Sequence, residues 1–391
     1  MAALYGLRAK LGLTDLRHRL GLRQRPPTPD QAAIAREECG ETAVAPAPSD
    51  AALASRIVKA YATNLADFGG YGDSMWDDIN RLARPIHDLL VGGSADELAL
   101  ALDRPHTTNL LLGFDNPVAA PWGFADEDRN LLSNEVGPDM LERIYRAVRR
   151  LAEATGAAQV TNPETLTGTA LSVDDYLAAI DERLGIELDF PNFYPHEKGI
   201  RSQRGIISYR PLQAIYQAYR LKSLGADKVM EIGAGLGRTA YYSHRMGIRD
   251  YTIVDIPLSN VAQTHFLSRA LGVDEVSVTG EERRTIRIVG PSFVAATHER
   301  FDVVLNVDSL SEMDPGIAAG YVAFARNAAS TMVSINREWA DRPRLADIIE
   351  DAPVMRVPYW MRDGYVEEIV SLDPASREGR FRPAVAGAIE A

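Results

Sequence analysis

Between Lys228 and Tyr242 the sequence reads KVMEIGAGLGRTAYY, a short apolar run that carries an acid, Glu231, and then places glycine at 233, 235 and 237. Alternate positions without a Cβ let the backbone turn tightly and approach a bound molecule, while a helix starting directly afterwards offers that molecule its unpaired N–H groups. Eighteen positions beyond Gly237, the run YTIVDIP delivers Asp255, a carboxylate able to accept two hydrogen bonds from a ribose diol. Strand, glycines, helix and acid together predict a nucleoside-type ligand. A dinucleotide turn wants a small residue at 238, where Arg238 stands, and no Lys-Ser/Thr pair is present for a triphosphate loop.

These residues need a scaffold that brings strand ends together. Apolar β-type runs at 228–232, 251–255, 284–289, 301–306 and 331–335 alternate with helical segments such as 258–271 and 316–328, the pattern of a doubly wound parallel sheet. VMRVPYWMRDGYVEEIVSL then reads as two strands joined at Asp363-Gly364. Before the sheet, residues 51–205 carry mainly helical signals, with capping-box spacings at Ser94/Glu97 and Ser172/Asp175, and read as a helical domain that either caps a site or only packs against the sheet. Residues 1–50 form a basic amphipathic tail and a Pro/Ala linker, and residues 206–391 the α/β domain. The tail carries six Lys or Arg against one Asp over residues 1–25, a composition suited to weak contact with an anionic membrane surface, though Gly6, Gly12 and Gly21 weaken any helix there.

The motif E-x-G-x-G-x-G at Glu231–Gly237 resembles the first motif of class I S-adenosylmethionine-dependent methyltransferases. Farther on, TIVDIPLSNVAQTHFLSRALG, NVDSLSEM and SINREW resemble a bacterial sugar O-methyltransferase family over roughly residues 200–340. The resemblance implies a mostly parallel, seven-stranded Rossmann-like methyltransferase sheet and an S-adenosylmethionine site built from Glu231, Gly233, Ala234, Gly235, Gly237, Asp255, Ile256 and Asn306. It implies methyl transfer to a sugar hydroxyl of a glycan or glycosylated metabolite. A phenolic or polyketide acceptor, a catalytically silent cofactor-binding domain and an NAD-dependent oxidoreductase are the alternatives.

A sugar hydroxyl is a poor acid, so its methylation calls for a positioned base or a metal that polarises the oxygen. Side chains alternate along a strand, which puts Asn306 with Asp308 at one strand end and Asn336 with Glu338 at the next; Glu312 lies one helical turn beyond Asp308. Asp308 and Glu312 are the expected base and orienter, or jointly the holders of a divalent cation such as Mg²⁺. Each also has a plain structural reading, as a helix cap or a solvated acid. His244 and His265, in the helices after the first two strands, are further proton acceptors unless they merely pack. The loop FPNFYPHEKGIRSQRG, with His196 and Arg204, mixes aromatic and charged groups as a sugar site does, or else simply connects domains.

Composition bounds these readings. The 391 residues suffice for about two domains, and 46% hydrophobic with 25% charged residues is the balance of a globular chain. A formal charge of −12 and a pI near 5.2 argue against general attraction to nucleic acid and favour a small-molecule or glycan substrate. No run nears the ~18 apolar residues of a membrane span. The single cysteine, Cys39, has no partner for an internal disulfide, the seven histidines include no i, i+3 or i+4 pair, and the start of the chain has no secretory pattern; a cytoplasmic protein without structural zinc is expected.

Overall fold

The computed structural model describes residues 29–42, 50–72, 74–113, 138–160, 170–338, 344–349 and 354–372; the amphipathic tail of residues 1–25 lies outside them. A small antiparallel sheet joins β1 (Cys39–Glu41) to β2 (Lys198–Ser202) and β3 (Gly205–Ile207). The larger sheet comprises β4 (Lys228–Ile232), β5 (Asp250–Val254), β6 (Val276–Val278), β7 (Ile286–Val289), β8 (Phe301–Val307), β9 (Ala329–Arg337), β10 (Val354–Pro358) and β11 (Tyr365–Ser371). Its order is β10-β11-β9-β8-β4-β5-β7-β6, with β6, β7, β5, β4, β8 and β9 parallel and β11 and β10 antiparallel. The expected doubly wound sheet is therefore present with eight strands rather than seven. The extra strand, β6, is three residues at the edge, too short to give a periodic signal.

Strand order reverses at β4, between β5 and β8, so the loops leaving these strands open a crevice at their carboxyl ends. Register sets what meets there: Ile232 lies beside Val254 and Asn306, which brings the glycine loop, Asp255 and Asp308 to one edge. Alternate side chains point to opposite faces. Val229, Ile253, Val303 and Leu305 join the core under the helices Tyr209–Ser223, Arg238–Arg245 and Pro257–Leu271, whereas Met230, Ile232, Val254 and Val304 pack against the helix Pro315–Ala328. Both faces are covered, so these strands read as nearly continuous apolar runs.

The first of these cores continues into the amino-terminal helices Ala51–Ala66, Ala95–Asp103, Pro138–Thr155 and Val173–Leu184, through Ile57, Leu98, Leu151 and Leu177. Ser94 and Glu97 form the expected reciprocal cap, and Ser172 accepts from the Asp175 N–H at 3.1 Å. The stretch 51–205 is not wholly helical, however. The supposed loop around Arg204 is the β2–β3 hairpin, and β3 crosses the 205/206 division. Gly199 explains the tight pairing, since a Cβ there would lie 2.1 Å from the Ile207 carbonyl oxygen. The β10–β11 connection is likewise longer than a two-residue turn, spanning residues 359–364, with Gly364 at φ 81°.

The helix Tyr209–Ser223 is fastened to the sheet by Glu367 of β11. That carboxylate, 1% exposed, accepts 2.7 Å bonds from the Tyr216 hydroxyl and the Arg220 Nε. Arg220→Ala leaves a buried carboxylate short of its counter-charge and is expected to lower unfolding free energy by about 3–5 kcal/mol. Adding Glu367→Gln, which keeps an acceptor for Tyr216 but removes the charge, should recover much of that loss in denaturant titrations.

Candidate active site

The glycine loop leaves β4 with Gly233, Gly235 and Gly237 at φ 71°, 56° and 87°, all in the left-handed region that a side chain disfavours. They serve two needs. A Cβ on Gly233 would lie 2.3 Å from the Ser309 Oγ, and one on Gly237 would lie 2.9 Å from Leu267 Cδ1, so close packing dictates both. Gly235 lines a cavity of about 430 Å³, together with Glu231, Gly233, Ala234, Asp255 and Ile256; Gly237 instead precedes the helix Arg238–Arg245 from behind that wall.

Asp255 is 9% exposed. Its Oδ2 accepts from the Ala234 N–H at 2.9 Å and from Gln263 Nε2 at 2.6 Å, and its Oδ1 from the Ile256 N–H at 2.8 Å. Burial pushes its carboxyl up to about 6 against these bonds. The Ser259 hydroxyl also bonds this carboxylate, which borders the cavity beside the glycine loop. Glu231, 2% exposed, accepts from the Tyr251 hydroxyl at 2.8 Å and is pushed up to about 7, by burial first and by the Asp255 charge in addition.

At the other strand end, Asp308 adopts φ 59° and lines the same cavity with Glu312. The Asp308 Oδ2 accepts from Arg362 Nη1 at 2.9 Å and from the Tyr365 hydroxyl at 3.1 Å, and the Arg362 guanidinium lies 4.0 Å from the Tyr365 ring centre. Asp308 is thus already paired. Glu312, on the short 3₁₀ turn Leu310–Glu312, is pushed up to about 8 by burial and then by the charge of Asp308, against a hydrogen bond from the Trp76 side chain and the charges of Arg210 and Arg362. The group is poised to exchange a proton near neutral pH.

Other expected residues lie elsewhere. Asn306 is fully buried and does not face the cavity: its Nδ2 donates to the Ile232 carbonyl at 3.0 Å and its Oδ1 accepts from Asn336 at 2.9 Å. Asn336 and Glu338 border a separate cavity of about 40 Å³, with Glu338 paired to Arg356. Neither borders the main cleft: Asn336 is bonded to Asn306 and Ser334, and Glu338 to Arg356. His244 sits at the far end of its helix beside Glu275, 3.1 Å away. His265 is 5% exposed, between the Tyr194 hydroxyl at 3.1 Å and Asp103 at 3.6 Å. Neither histidine lines the cleft. His196 pairs with Glu41 at 2.7 Å and Arg204 with Asp181 at 2.6 Å, which makes both fasteners of the small sheet and its neighbour.

The two-carboxylate arrangement does not suit a divalent cation. Arg362 occupies Asp308, and no group of three or more His, Cys, Asp or Glu able to hold a metal occurs among the described residues. No helix among them is long and apolar enough to cross a membrane.

The residues of the opposite wall were not among those expected from sequence. Phe68, Gly69, Gly70 and Tyr71, with Ser74 and Trp76, border the cleft from the amino-terminal region, and the Ser74 hydroxyl donates to the Glu312 carbonyl at 2.9 Å. The FGGYG run was the available signal, since it clusters aromatics with glycines between helices. Arg210 and Gln213, on the first two turns of the helix Tyr209–Ser223, complete this wall.

No protein-family model matches the chain, and no curated protein matches it. Several solved structures share part of its arrangement. The methyltransferase domain of bacterial-CtHen1-CN is 11% identical, covering 41% of this chain and 97% of that one, with a TM-score of 0.31. The O-methyltransferase from Bacillus cereus in complex with SAH is 14% identical over 41% and 81%, TM-score 0.30. The Burkholderia thailandensis 1,6-didemethyltoxoflavin-N1-methyltransferase, with bound 1,6-didemethyltoxoflavin and S-adenosylhomocysteine, is 17% identical over 44% and 94%, TM-score 0.28. At such identities and scores, ligands and substrates do not transfer from one protein to another.

Glu312 should shape stability as well as chemistry. Its folded-state value of about 8 stands above the ordinary 4.5, so between those limits the folded chain holds a proton that the unfolded chain has released, and stability falls as pH rises through that window. Glu312→Gln removes this contribution while keeping an acceptor for Trp76. The stability of the variant relative to the unmutated protein should therefore improve between pH 5 and pH 8.5. A difference that is constant across that range in denaturant titrations would contradict the assignment.

Proposed function

We propose that the protein is an S-adenosylmethionine-dependent O-methyltransferase acting on a sugar hydroxyl of a glycan or glycosylated small molecule. The observation that carries this reading is one cavity with a glycine loop and Asp255 at one end and a proton-exchanging carboxyl, Glu312, at the other. The cradle fits the cofactor: two left-handed glycines and Ala234 face it, and the Asp255 carboxylate borders the cavity beside them. Bound there, S-adenosylmethionine supplies an electrophilic methyl group.

The chain's own tasks are to hold the acceptor, exclude water and remove a proton. The amino-terminal region serves as the cap, closing the cleft with Phe68, Tyr71 and Trp76. Glu312 takes the acceptor's hydroxyl proton on a carboxylate oxygen. Asp308, held by Arg362 and Tyr365, orients the neighbourhood and helps keep the Glu312 affinity for that proton high. Aromatic faces beside polar groups suit a sugar, whose rings offer both C–H and hydroxyl edges. The same aromatic wall favours a phenolic acceptor as the second reading, in which the base matters less because a phenol ionises more readily.

Turnover with S-adenosylmethionine on paired sugar and phenol acceptors tests the choice, and its absence on both would favour a silent binding domain. Calorimetry tests the cofactor site: Gly235→Val and Asp255→Ala should each weaken S-adenosylmethionine binding strongly, and unchanged affinity in both would remove the assignment. With an accepted sugar, Glu312→Gln should lower kcat by ~10²–10⁴-fold, the usual worth of a general base, at nearly unchanged cofactor affinity. In the unmutated enzyme kcat/KM should rise with pH to about 8 as Glu312 loses its proton. A pH-independent rate, or full activity in Glu312→Gln, would place the base elsewhere.

A further inference from the structure

The first turns of the helix Tyr209–Ser223 present two donor side chains to the cleft. Arg210 is exposed, borders the cavity and has no hydrogen-bond or ion-pair partner among the described residues. Gln213, three residues on and therefore on the same helix face, also borders the cavity; it is 5% exposed and its amide nitrogen has no partner. The helix start lacks a side-chain cap, because the Ser208 hydroxyl donates to Glu197 at 2.6 Å. A guanidinium and a buried amide donor thus border the cleft within the first two turns of an uncapped helix, in a chain of net charge −12.

Donors without acceptors in a cleft wall call for an acceptor-rich ligand. We propose that Arg210 and Gln213 form an anion seat that selects acceptors bearing a carboxylate or phosphate next to the methylated hydroxyl, such as uronic acids or sugar phosphates. The inference rests on the methyltransferase reading of the cleft. Its placement on the acceptor side comes from the neighbours of Arg210, whose positive charge opposes the burial that raises Glu312 and Tyr365, both at the Asp308 end. The Asp308 charge is met there by Arg362. An anion at Arg210 therefore meets a free cation rather than an uncompensated pair of acids. Arg is suited to this task because its planar fork binds carboxylate and phosphate oxygens in pairs.

The test uses the full chain and calorimetry. S-adenosylhomocysteine is titrated first; if it does not bind, the methyltransferase reading fails before any sugar is added. The loaded protein is then titrated with glucuronate against glucose, galacturonate against galactose, and glucose 6-phosphate against glucose. At least one acidic sugar should bind ≥10-fold more tightly than its neutral partner, the carboxylate and phosphate pairs showing which anion is preferred. Arg210→Gln, at an exposed position, should erase that preference and leave S-adenosylhomocysteine affinity within about twofold. No preference in the unmutated protein, or a preference that survives Arg210→Gln, overturns the seat. If Arg210→Gln instead weakens S-adenosylhomocysteine strongly but leaves methylthioadenosine, which lacks the amino-acid carboxylate, unaffected, the seat belongs to the cofactor and the acceptor assignment is overturned.

Discussion

One buried amide holds the carboxyl ends of the central strands together. Asn306, fully shielded from solvent, donates to the Ile232 carbonyl of β4 and contacts Ser309 after β8; its oxygen receives the Leu310 N–H at 3.3 Å and Asn336 of β9 at 2.9 Å. Each of these bonds replaces one that water would otherwise supply, and leaving a buried partner unmet costs about 1–3 kcal/mol. The consequences spread outward. With Ser309 pinned, its Oγ also donates to the Ile232 carbonyl at 3.0 Å, position 233 has no room for a Cβ, and the glycine loop must turn where it does. Asp308, between Val307 and this pinned serine, takes the left-handed conformation that turns the chain across the strand ends.

Electrostatics in the cleft are set by burial on one side and pairing on the other. Glu231, Asp255 and Glu312 are all raised, with burial as the leading cause, while Asp308 is met by Arg362 and Tyr365. Neutral carboxyls are cheaper to bury than charged ones, and a cleft that holds carboxyls near neutrality can exchange protons with a ligand. On the opposite wall, Arg210 has no hydrogen-bond or ion-pair partner among the described residues.

The amino-terminal region is built into the same body as the sheet. Buried Arg238, whose Nη2 donates to Glu197 at 3.2 Å, links the helix after the glycine loop to the strand hairpin at 198–207. Tyr241 and Tyr242 both donate to Asp189, at 2.6 Å to its carboxylate and 2.9 Å to its backbone carbonyl. In the same body, Phe68–Tyr71 and the residues Ala234 and Ile256 border one cavity.

By itself the sequence determined what local pattern and spacing can carry. The alternation of apolar runs and helical segments specified the parallel sheet and its closing hairpin, and the glycines with Asp255 specified which strand ends border the cleft, because strand–turn–helix geometry is local and leaves few choices of connection. Glu312 was also legible, one helical turn beyond a strand-end acid. Tertiary structure alone decided the rest. Alternation along β8 and β9 placed Asn306 and Asn336 at the lip, yet Asn306 is fully buried against Ile232 and Ser309, and Asn336 borders a separate small cavity. His244 and His265 resembled catalytic groups until packing supplied Glu275, Tyr194 and Asp103 as their neighbours. The opposite wall, from Phe68 to Gln213, comes from segments more than a hundred residues apart in sequence. No period or spacing records such a meeting; it exists only once the two regions share a core, because contact between distant segments is a property of packing and not of pattern.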